Sequence, residues 1–126
     1  DYAHHPDEIK ATLTAAKLVT KGKIICIFQP HTYTRTKAFL KDFAKSLSIA
    51  DKVILADIYA AREKDTGMVS SKDLETKINE LGGNAVYIGD FLSIEKFVEK
   101  NCKKSEKLFL DVKRPAVTHR PFLCLN

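Results

Sequence analysis

Residues 23–29 read KIICIFQ, and residues 52–57 read KVILAD. Each is a short apolar run with little alternation between apolar and polar residues. A strand that faces water on one side alternates, whereas a strand covered on both faces reads as a nearly continuous apolar run. Both segments are therefore predicted to be buried strands of a parallel sheet with helices on its two faces.

Helical periodicity fills the sequence around these strands. Pro6 opens the first predicted helix, whose apolar face is formed by Ile9, Leu13 and Ala16 and which Gly22 is expected to stop. The remaining predicted elements are a helix with Phe39, Leu40, Phe43, Ala44 and Leu47 on one face, a helix capped by Ser70 or Ser71 and ended by Gly82-Gly83, a strand at 85–88, a helix at 92–103 and a strand at 107–112. This order predicts an α/β fold, a three-layer, Rossmann-like, doubly wound and mostly parallel sheet flanked by helices.

Two loops of this fold should lie side by side. Right-handed crossovers bring the carboxyl ends of strands 23–29 and 52–57 to the same edge of the sheet. The segments that follow them, PHTYTR and IYAARE, should then line one crevice at that edge, where open α/β sheets bind ligands. The second loop is long for a connection in a compact domain, which also favours a functional role.

Composition excludes several classes of protein. The net charge is +5, but residues 113–126 supply three of the excess positive charges, and the preceding 112 residues are almost balanced. No basic stripe interleaved with aromatic residues is present, so nucleic-acid binding is not predicted. No apolar run approaches the roughly 20 residues of a membrane span, so no membrane partner is predicted.

The cellular compartment is predicted from the cysteines and the amino terminus. Cys26, Cys102 and Cys124 are an odd number at unrelated spacings, which fits free thiols better than a disulfide framework. The first residues have neither the basic start nor the apolar stretch of a signal peptide. A cytoplasmic location is expected.

Three polar clusters could carry chemistry, and the first consists of Asp1, Tyr2, His4 and His5. Adjacent histidines diverge on a regular element, and no further ligand stands at helical spacing, so a metal site is disfavoured. His5 could simply cap the helix that Pro6 begins. A ligand-facing role for one histidine near this helix start is the favoured alternative, because helix starts attract anions.

The second cluster is the loop from Gln29 to Thr36, which contains His31, Tyr33 and Arg35. These side chains are donors for a carboxylate or a phosphate, and arginine can contact either in a bidentate manner. The alternative is an ordinary loop in which Thr34 or Thr36 caps the next helix while Arg35 is solvated. Composition alone leaves the two interpretations even.

The third cluster, Asp57, Tyr59, Arg62 and Glu63, follows the second buried strand. Paired acids can orient an amine or bind Mg²⁺, but solvated side chains are the favoured interpretation here. The sequence has no GxxxxGK[ST] phosphate loop, no GxGxxG fingerprint and no recognisable nucleophile pattern. No catalytic residue is therefore assigned, and the chain is not expected to bind a nucleoside triphosphate unaided.

The three clusters together resemble a known family. DYAHHPDEIKATLTAAK, FQPHTYTRTKAFLKDFAKSL and DIYAAREKDTGMVSSKDL are similar, in order, to three consecutive signatures of the third domain of Mur ligases of the alanine-adding type. The likeness runs from Asp1 to about residue 112. The murein tripeptide-recycling ligase shares the HHP element but not the PHTYTRT loop, and folylpolyglutamate synthases are more distant.

The resemblance implies a cytoplasmic enzyme of peptidoglycan synthesis that uses ATP and Mg²⁺ to join L-alanine to UDP-N-acetylmuramate through an acyl phosphate. The partners would be the N-terminal and central domains of that enzyme, which would hold UDP-N-acetylmuramate and ATP with Mg²⁺. This chain alone would be inactive, and a stand-alone module that binds a small anion or amino acid is the alternative.

The resemblance also implies site residues. Asp1 and His4 would approach the nucleotide, and Tyr2 and His4 the incoming amino acid. His31 and Arg35 would face the amino-acid carboxylate and the reacting phosphate, with Tyr33 between them. Some family members have arginine where this chain has Thr32, which would change the number of cationic contacts.

The end of the chain departs from the family pattern. Family members usually continue after the last strand into a Gly-Ala-Gly-Asp turn, whereas this chain reads DVKRPAVTHRPFLCLN. The domain is therefore expected to span residues 1–112, with residues 113–126 as an atypical tail not native to it.

Overall fold

The computed structural model describes residues 5–102 and 106–111 of the chain. This part of the sequence contains five helices and four strands, which alternate except where the third helix directly follows the second. They are α1 (Pro6–Val19), β1 (Ile24–Phe28), α2 (Tyr33–Ala38), α3 (Leu40–Leu47), β2 (Lys52–Ala56), α4 (Ser71–Glu80), β3 (Ala85–Gly89), α5 (Phe91–Asn101) and β4 (Lys107–Asp111).

The four strands form one parallel sheet in the order β3-β2-β1-β4. Ile27 of β1 pairs with Ile54 of β2 on one side and with Leu110 of β4 on the other. The two central strands are thus β1 and β2, the segments with the most continuous apolar sequence. A central strand is covered on both faces, which is why these two carry no alternation.

Successive residues of β1 enter two separate cores, one on each face of the sheet. Ile24, Cys26 and Phe28 pack in the core beneath α1, α3 and α4, whereas Ile25 and Ile27 pack in the core beneath α5. The helices contribute Ile9, Leu13 and Ala16 (α1), Phe43, Ala44 and Leu47 (α3), and Leu74 and Ile78 (α4) to the first core, and Ile94 and Val98 (α5) to the second. The predicted three-layer, doubly wound α/β fold is confirmed.

Helix ends follow local side-chain chemistry. Ser70 caps α4 in a capping box with Asp73, while the neighbouring Ser71 is buried and donates its hydroxyl to the Ala56 carbonyl at 2.6 Å. Beyond the other end of α4, Gly82 has a φ of 87°, a conformation that glycine adopts without steric cost. Helix α1 already ends at its C-cap Thr20, so the prediction that Gly22 stops it was wrong by two residues.

The predicted helix is present over Leu40–Leu47 and buries Phe43, Ala44 and Leu47. The placement of Phe39 on its apolar face was wrong, because the chain turns at Phe39. Its φ of −114° and ψ of 21° separate α2 from α3, although the Phe39 carbonyl still accepts from the Phe43 amide at 2.8 Å. The turn moves the ring out of the core, and Phe39 is 36% exposed, with its centroid 5.5 Å from that of His5.

The observed ends of α5 differ by one or two residues from those predicted from the sequence. Helix α5 begins at Phe91 because the Asp90 carboxylate accepts from the Ser93 amide, and α5 ends at Asn101. Strand β4 is described to Asp111, and Val112 with the tail at 113–126 lies outside the described residues.

Two further sequence expectations concern the cysteines and the membrane. Cys26 is buried and Cys102 is half-buried, and both are thiols, whereas Cys124 lies outside the described residues. Burial raises the pKa of the Cys102 thiol. None of the helices in the described part of the chain is long and apolar enough to span a membrane.

Asp51 links three elements at the amino edge of the sheet. Its carboxylate accepts from the Ile24 amide at 2.8 Å and from the Lys17 ammonium at 3.0 Å, and its own amide donates to the Ile24 carbonyl at 2.9 Å. The Ile24 amide, followed by Lys17, lowers the pKa of the Asp51 carboxyl in the folded protein. Asp51 therefore joins α1 and β1 to the start of β2.

We expect Asp51→Ala to reduce the free energy of unfolding at pH 7 by about 1–2 kcal/mol, because a charge-assisted backbone hydrogen bond is lost. The carboxyl has a lower pKa when folded than when unfolded, so its contribution is present above the unfolded pKa and disappears as the pH falls through the folded one. Urea unfolding across this acidic range should show the free energies of unfolding of the wild type and of Asp51→Ala converging as the pH falls. Glu99→Ala, at an exposed position on α5, is the control, and a difference that stays constant with pH would contradict this account.

Candidate functional site

The loops after β1 and β2 meet beyond the carboxyl ends of these strands. The Tyr59 amide donates to the Pro30 carbonyl at 2.8 Å, and the Thr32 amide donates to the Tyr59 carbonyl at 2.8 Å. His31 and Tyr59 thereby form an isolated parallel bridge. The prediction that these two loops line one edge of the sheet is confirmed, and the parallel pairing of β1 and β2 continues into them.

His31 lies between the loops. The residue is half-buried, its ring centroid is 5.2 Å from that of Tyr59, and both ring nitrogens are buried. In this conformation the imidazole packs against the neighbouring loop. A direct contact between His31 and a ligand stays a prediction, and it would require the ring nitrogens to become accessible.

Thr32 begins α2 in a strained conformation. Its φ of 63° and ψ of 147° lie close to a region that glycine alone adopts readily, at a typical cost of about 1–3 kcal/mol for another residue. The Thr32 hydroxyl accepts from the Arg35 amide at 3.2 Å, and its carbonyl accepts from the Thr36 hydroxyl at 2.7 Å. The cap is thus Thr32, and the alternative that Thr34 or Thr36 caps this helix was wrong.

Glu63 reaches across from the second loop to the first turn of α2. One carboxylate oxygen accepts from the Tyr33 amide at 2.7 Å and the Thr34 amide at 3.0 Å, and the other accepts from the Thr34 hydroxyl at 2.6 Å. The Thr34 hydroxyl, followed by the Thr34 amide, lowers the pKa of Glu63. The interpretation of Glu63 as a merely solvated side chain was wrong.

The second loop turns back so that Glu63 can make these contacts. The Glu63 amide donates to the Ala60 carbonyl at 3.0 Å, and within this turn Ala61 has a φ of 56°. Arg62, in the same turn, is exposed. Of the third cluster, the structure brings Tyr59 and Glu63 into contact with the first loop.

The carboxylate of Asp57 contacts the third strand, whereas its backbone carbonyl contacts the first loop. The Tyr87 hydroxyl donates to the Asp57 carboxylate, and this bond is the main cause that raises the pKa of Tyr87 to about 12. The Gln29 side-chain amide donates to the Asp57 carbonyl at 3.2 Å, which adds a link to the first loop. Tyr87 was not among the residues singled out from the sequence, although it is a polar aromatic residue within the otherwise apolar strand β3.

Tyr33 and Arg35 lie on α2, and carboxylates lie close enough to Tyr33 to change its pKa. Burial raises the pKa of the Tyr33 phenol, and the carboxylates of Asp65, Asp57 and Glu63 raise it further. Arg35 is half-buried on the same short helix, and among the side chains that the structure describes its guanidinium forms no ion pair. The edge therefore combines a cation with several carboxylates, an arrangement suited to a small ligand that carries both charges.

The first cluster is described only at His5, because Asp1, Tyr2 and His4 lie outside the described residues. His5 Nδ1 accepts from the Asp7 amide at 3.2 Å and caps α1 ahead of Pro6, as one of the two interpretations predicted. His5 also lines a groove of about 280 Å³ together with Phe39, Asp42 and Lys45.

Across residues 5–102 and the other described positions, no three His, Cys, Asp or Glu side chains lie close enough together to hold a metal ion. The sequence also contains no phosphate loop.

A parallel sheet with helices on both faces and two polar loops joined at its carboxyl edge defines a doubly wound α/β domain. The sequence model of the family described as Mur ligase, glutamate ligase domain, matches residues 1–108. The chain belongs to this family.

Individual relatives agree with this assignment. The UDP-N-acetylmuramate–L-alanine ligase of Lachnoclostridium phytofermentans is 55% identical over 108 residues, which are 86% of this chain and 23% of that protein. The enzyme of the same name from Caldanaerobacter subterraneus subsp. tengcongensis is 58% identical over 106 residues, 84% of this chain and 23% of the relative. The chain thus spans less than a quarter of the length of these curated relatives.

A solved structure is similar as well. The crystal structure of UDP-N-acetylmuramate-alanine ligase MurC from Thermotoga maritima superposes with a TM-score of 0.64 at 33% sequence identity, covering 87% of this chain and 21% of that one. The resemblance to the alanine-adding type of Mur ligase is confirmed.

Two substitutions at Thr32 should separate backbone strain from capping. Thr32→Val keeps the branched side chain but removes the hydroxyl, and we expect a loss of about 1 kcal/mol in the free energy of unfolding. Thr32→Gly also removes the hydroxyl, but it relieves the positive φ, so its stability should equal or exceed that of the wild type. Urea unfolding measures the free energy of unfolding of each variant and of the wild type. A valine variant as stable as the wild type, or a glycine variant less stable than the valine variant, would contradict this interpretation.

Proposed function

We propose that the chain is the C-terminal domain of an ATP-dependent ligase that joins L-alanine to UDP-N-acetylmuramate in peptidoglycan synthesis. The observation that carries the proposal is the mixed-charge edge at which the β1–α2 and β2–α4 loops are joined. Both loops lie within segments that resemble the alanine-adding enzymes. We further propose that the ligase works in the cytoplasm.

In the proposed reaction, the lactyl carboxylate attacks the γ-phosphorus of ATP, so that ADP leaves and an acyl phosphate forms. The L-alanine amine, after losing a proton, attacks the acyl carbon, and the tetrahedral intermediate expels phosphate to leave an amide. Mg²⁺ bound with ATP would offset phosphate charge. ATP, Mg²⁺ and UDP-N-acetylmuramate would be held mainly by the N-terminal and central domains.

The role of this chain would be to orient the amino acid and to exclude water when the domains close. Such positioning can contribute several kcal/mol to lowering the barrier without any covalent role. Arg35 would bind the L-alanine carboxylate or the reacting phosphate, with Tyr33 beside it. The carboxylates of Asp57 and Asp65, which lie near Tyr33, suit the ammonium group that L-alanine carries before it is deprotonated.

The remaining assignments rest on the family resemblance. Asp1 and His4 would approach the nucleotide, and Tyr2 and His4 would approach the amino acid. His31 would support the loop between β1 and α2, and would face the ligand only if domain closure exposes a ring nitrogen. Thr32, which replaces an arginine of some relatives, uses its hydroxyl as a helix cap and offers no cation.

Reconstitution tests the proposal directly. The chain would be mixed with the separately expressed upstream domains of the same source, together with ATP, Mg²⁺, UDP-N-acetylmuramate and L-alanine, and phosphate release would be followed. We expect release that requires both polypeptides and stops when any one component is omitted. No release from two demonstrably folded polypeptides, or release by this chain alone, would contradict the proposal.

Arg35 provides a residue-level test in the active enzyme. We expect Arg35→Ala and Arg35→Lys each to lower kcat/KM for L-alanine by about 10- to 100-fold, because lysine cannot reproduce a bidentate guanidinium contact. Lys37→Ala, which removes an exposed cation from the same helix, is the matched control and should stay within about twofold of the wild type. Full activity of Arg35→Lys would show that a simple positive charge suffices.

A further inference from the structure

Glu63 joins the two loops of the site, although the family resemblance gives it no role. We infer that Glu63 is a positioning residue, which fixes the first turn of α2 and thereby sets where Tyr33 and Arg35 stand for the amino-acid substrate. The inference rests on the proposed function and extends it to a residue that does not itself touch the substrate.

The Glu63 carboxylate is fully engaged at the start of α2. Both carboxylate oxygens of Glu63 are used, and the three donors all come from Tyr33 and Thr34, about 30 positions earlier in the chain. These two amides belong to the helix start, which has no intrahelical acceptors for them. A residue of the second loop therefore supplies the acceptors that the first helical turn lacks.

Helix α2 has few stabilising contacts within itself. The helix has only six residues, it starts at a strained Thr32, and the chain turns again at Phe39. So short a helix has little stability of its own and depends on tertiary contacts. Tyr33 and Arg35 both lie in its first turn, so the contact made by Glu63 controls their position.

The negative charge of Glu63 also bears on its role. A carboxylate beside groups that are proposed to bind a carboxylate or phosphate would repel that ligand. Its hydrogen bonds to Tyr33 and Thr34 direct the Glu63 carboxylate toward the helix start. The placement fits a group that holds the loop and not one that binds the anionic ligand.

Glutamine separates geometry from charge at this position. In Glu63→Gln, the side-chain oxygen can still accept from the Tyr33 and Thr34 amides, and the new NH₂ can donate to the Thr34 hydroxyl. The variant keeps the contacts and removes the negative charge. Glu63→Ala removes both, and Thr34→Val removes only the hydroxyl contact.

The experiment is steady-state kinetics of the full ligase that contains this domain, with each substrate varied in turn. We expect Glu63→Ala to lower kcat/KM for L-alanine by about 10- to 100-fold, mainly through KM for L-alanine, since a small displacement of binding groups has effects of this size. KM for ATP and for UDP-N-acetylmuramate should stay within about twofold, because those substrates would bind other domains. Glu63→Gln should retain activity within about threefold, with Thr34→Val between the two.

A second measurement and a control complete the test. Amide hydrogen exchange at Tyr33 and Thr34 should be faster in Glu63→Ala and near the wild-type rate in Glu63→Gln. Glu80→Ala, at an exposed position at the far end of α4, should behave as the wild type in both measurements.

Three results would overturn the inference. They are a fully active Glu63→Ala variant, a Glu63→Gln variant as impaired as Glu63→Ala, and an alanine variant whose loss is a lower kcat and melting temperature with unchanged KM for L-alanine. A wild-type ligase without L-alanine-dependent phosphate release would instead overturn the proposed function and, with it, the inference that rests on it.

Discussion

The site depends on the parallel pairing of β1 with β2. Parallel strands end at the same edge of a sheet, so the segments that leave them start as neighbours. Here the pairing continues for two more backbone hydrogen bonds, through which Tyr59 contacts Pro30 and Thr32. Residues that are far apart in sequence are thereby held in one backbone frame before any side-chain contact is made.

Side chains complete this frame at a conformational cost. Thr32 and Ala61, one in each loop, have positive φ values, and each lies close to a hydrogen bond that joins or folds the loops. Such conformations persist where surrounding contacts determine them, and they are concentrated at functional sites. The Glu63 carboxylate at the start of α2 is one of the contacts that holds this arrangement. The two residues with positive φ, the backbone hydrogen bonds between the loops and the Glu63 carboxylate thus stabilise one another.

The electrostatics of the edge are mixed, which is unlike a simple anion site. The amides at the start of α2 are occupied by Glu63, so a negative ligand group would depend on side chains such as Arg35. Burial, followed by the carboxylates of Asp65, Asp57 and Glu63, raises the pKa of Tyr33, and the hydrogen bond to Asp57 raises that of Tyr87. The proposed amino-acid substrate, which carries a carboxylate and an ammonium group, is compatible with this distribution.

The sequence by itself determined the parallel α/β fold, its central strands and the edge where the polar loops meet. These follow from apolar periodicity and from the handedness of crossovers, which are properties of short segments and of chain topology. Only the tertiary structure decided that Phe39 leaves the core, that Thr32 caps α2, and that Glu63 and Tyr87 take part at the edge. Each of those outcomes depends on a backbone turn or on a partner from another segment, and periodicity within one segment carries no information about either.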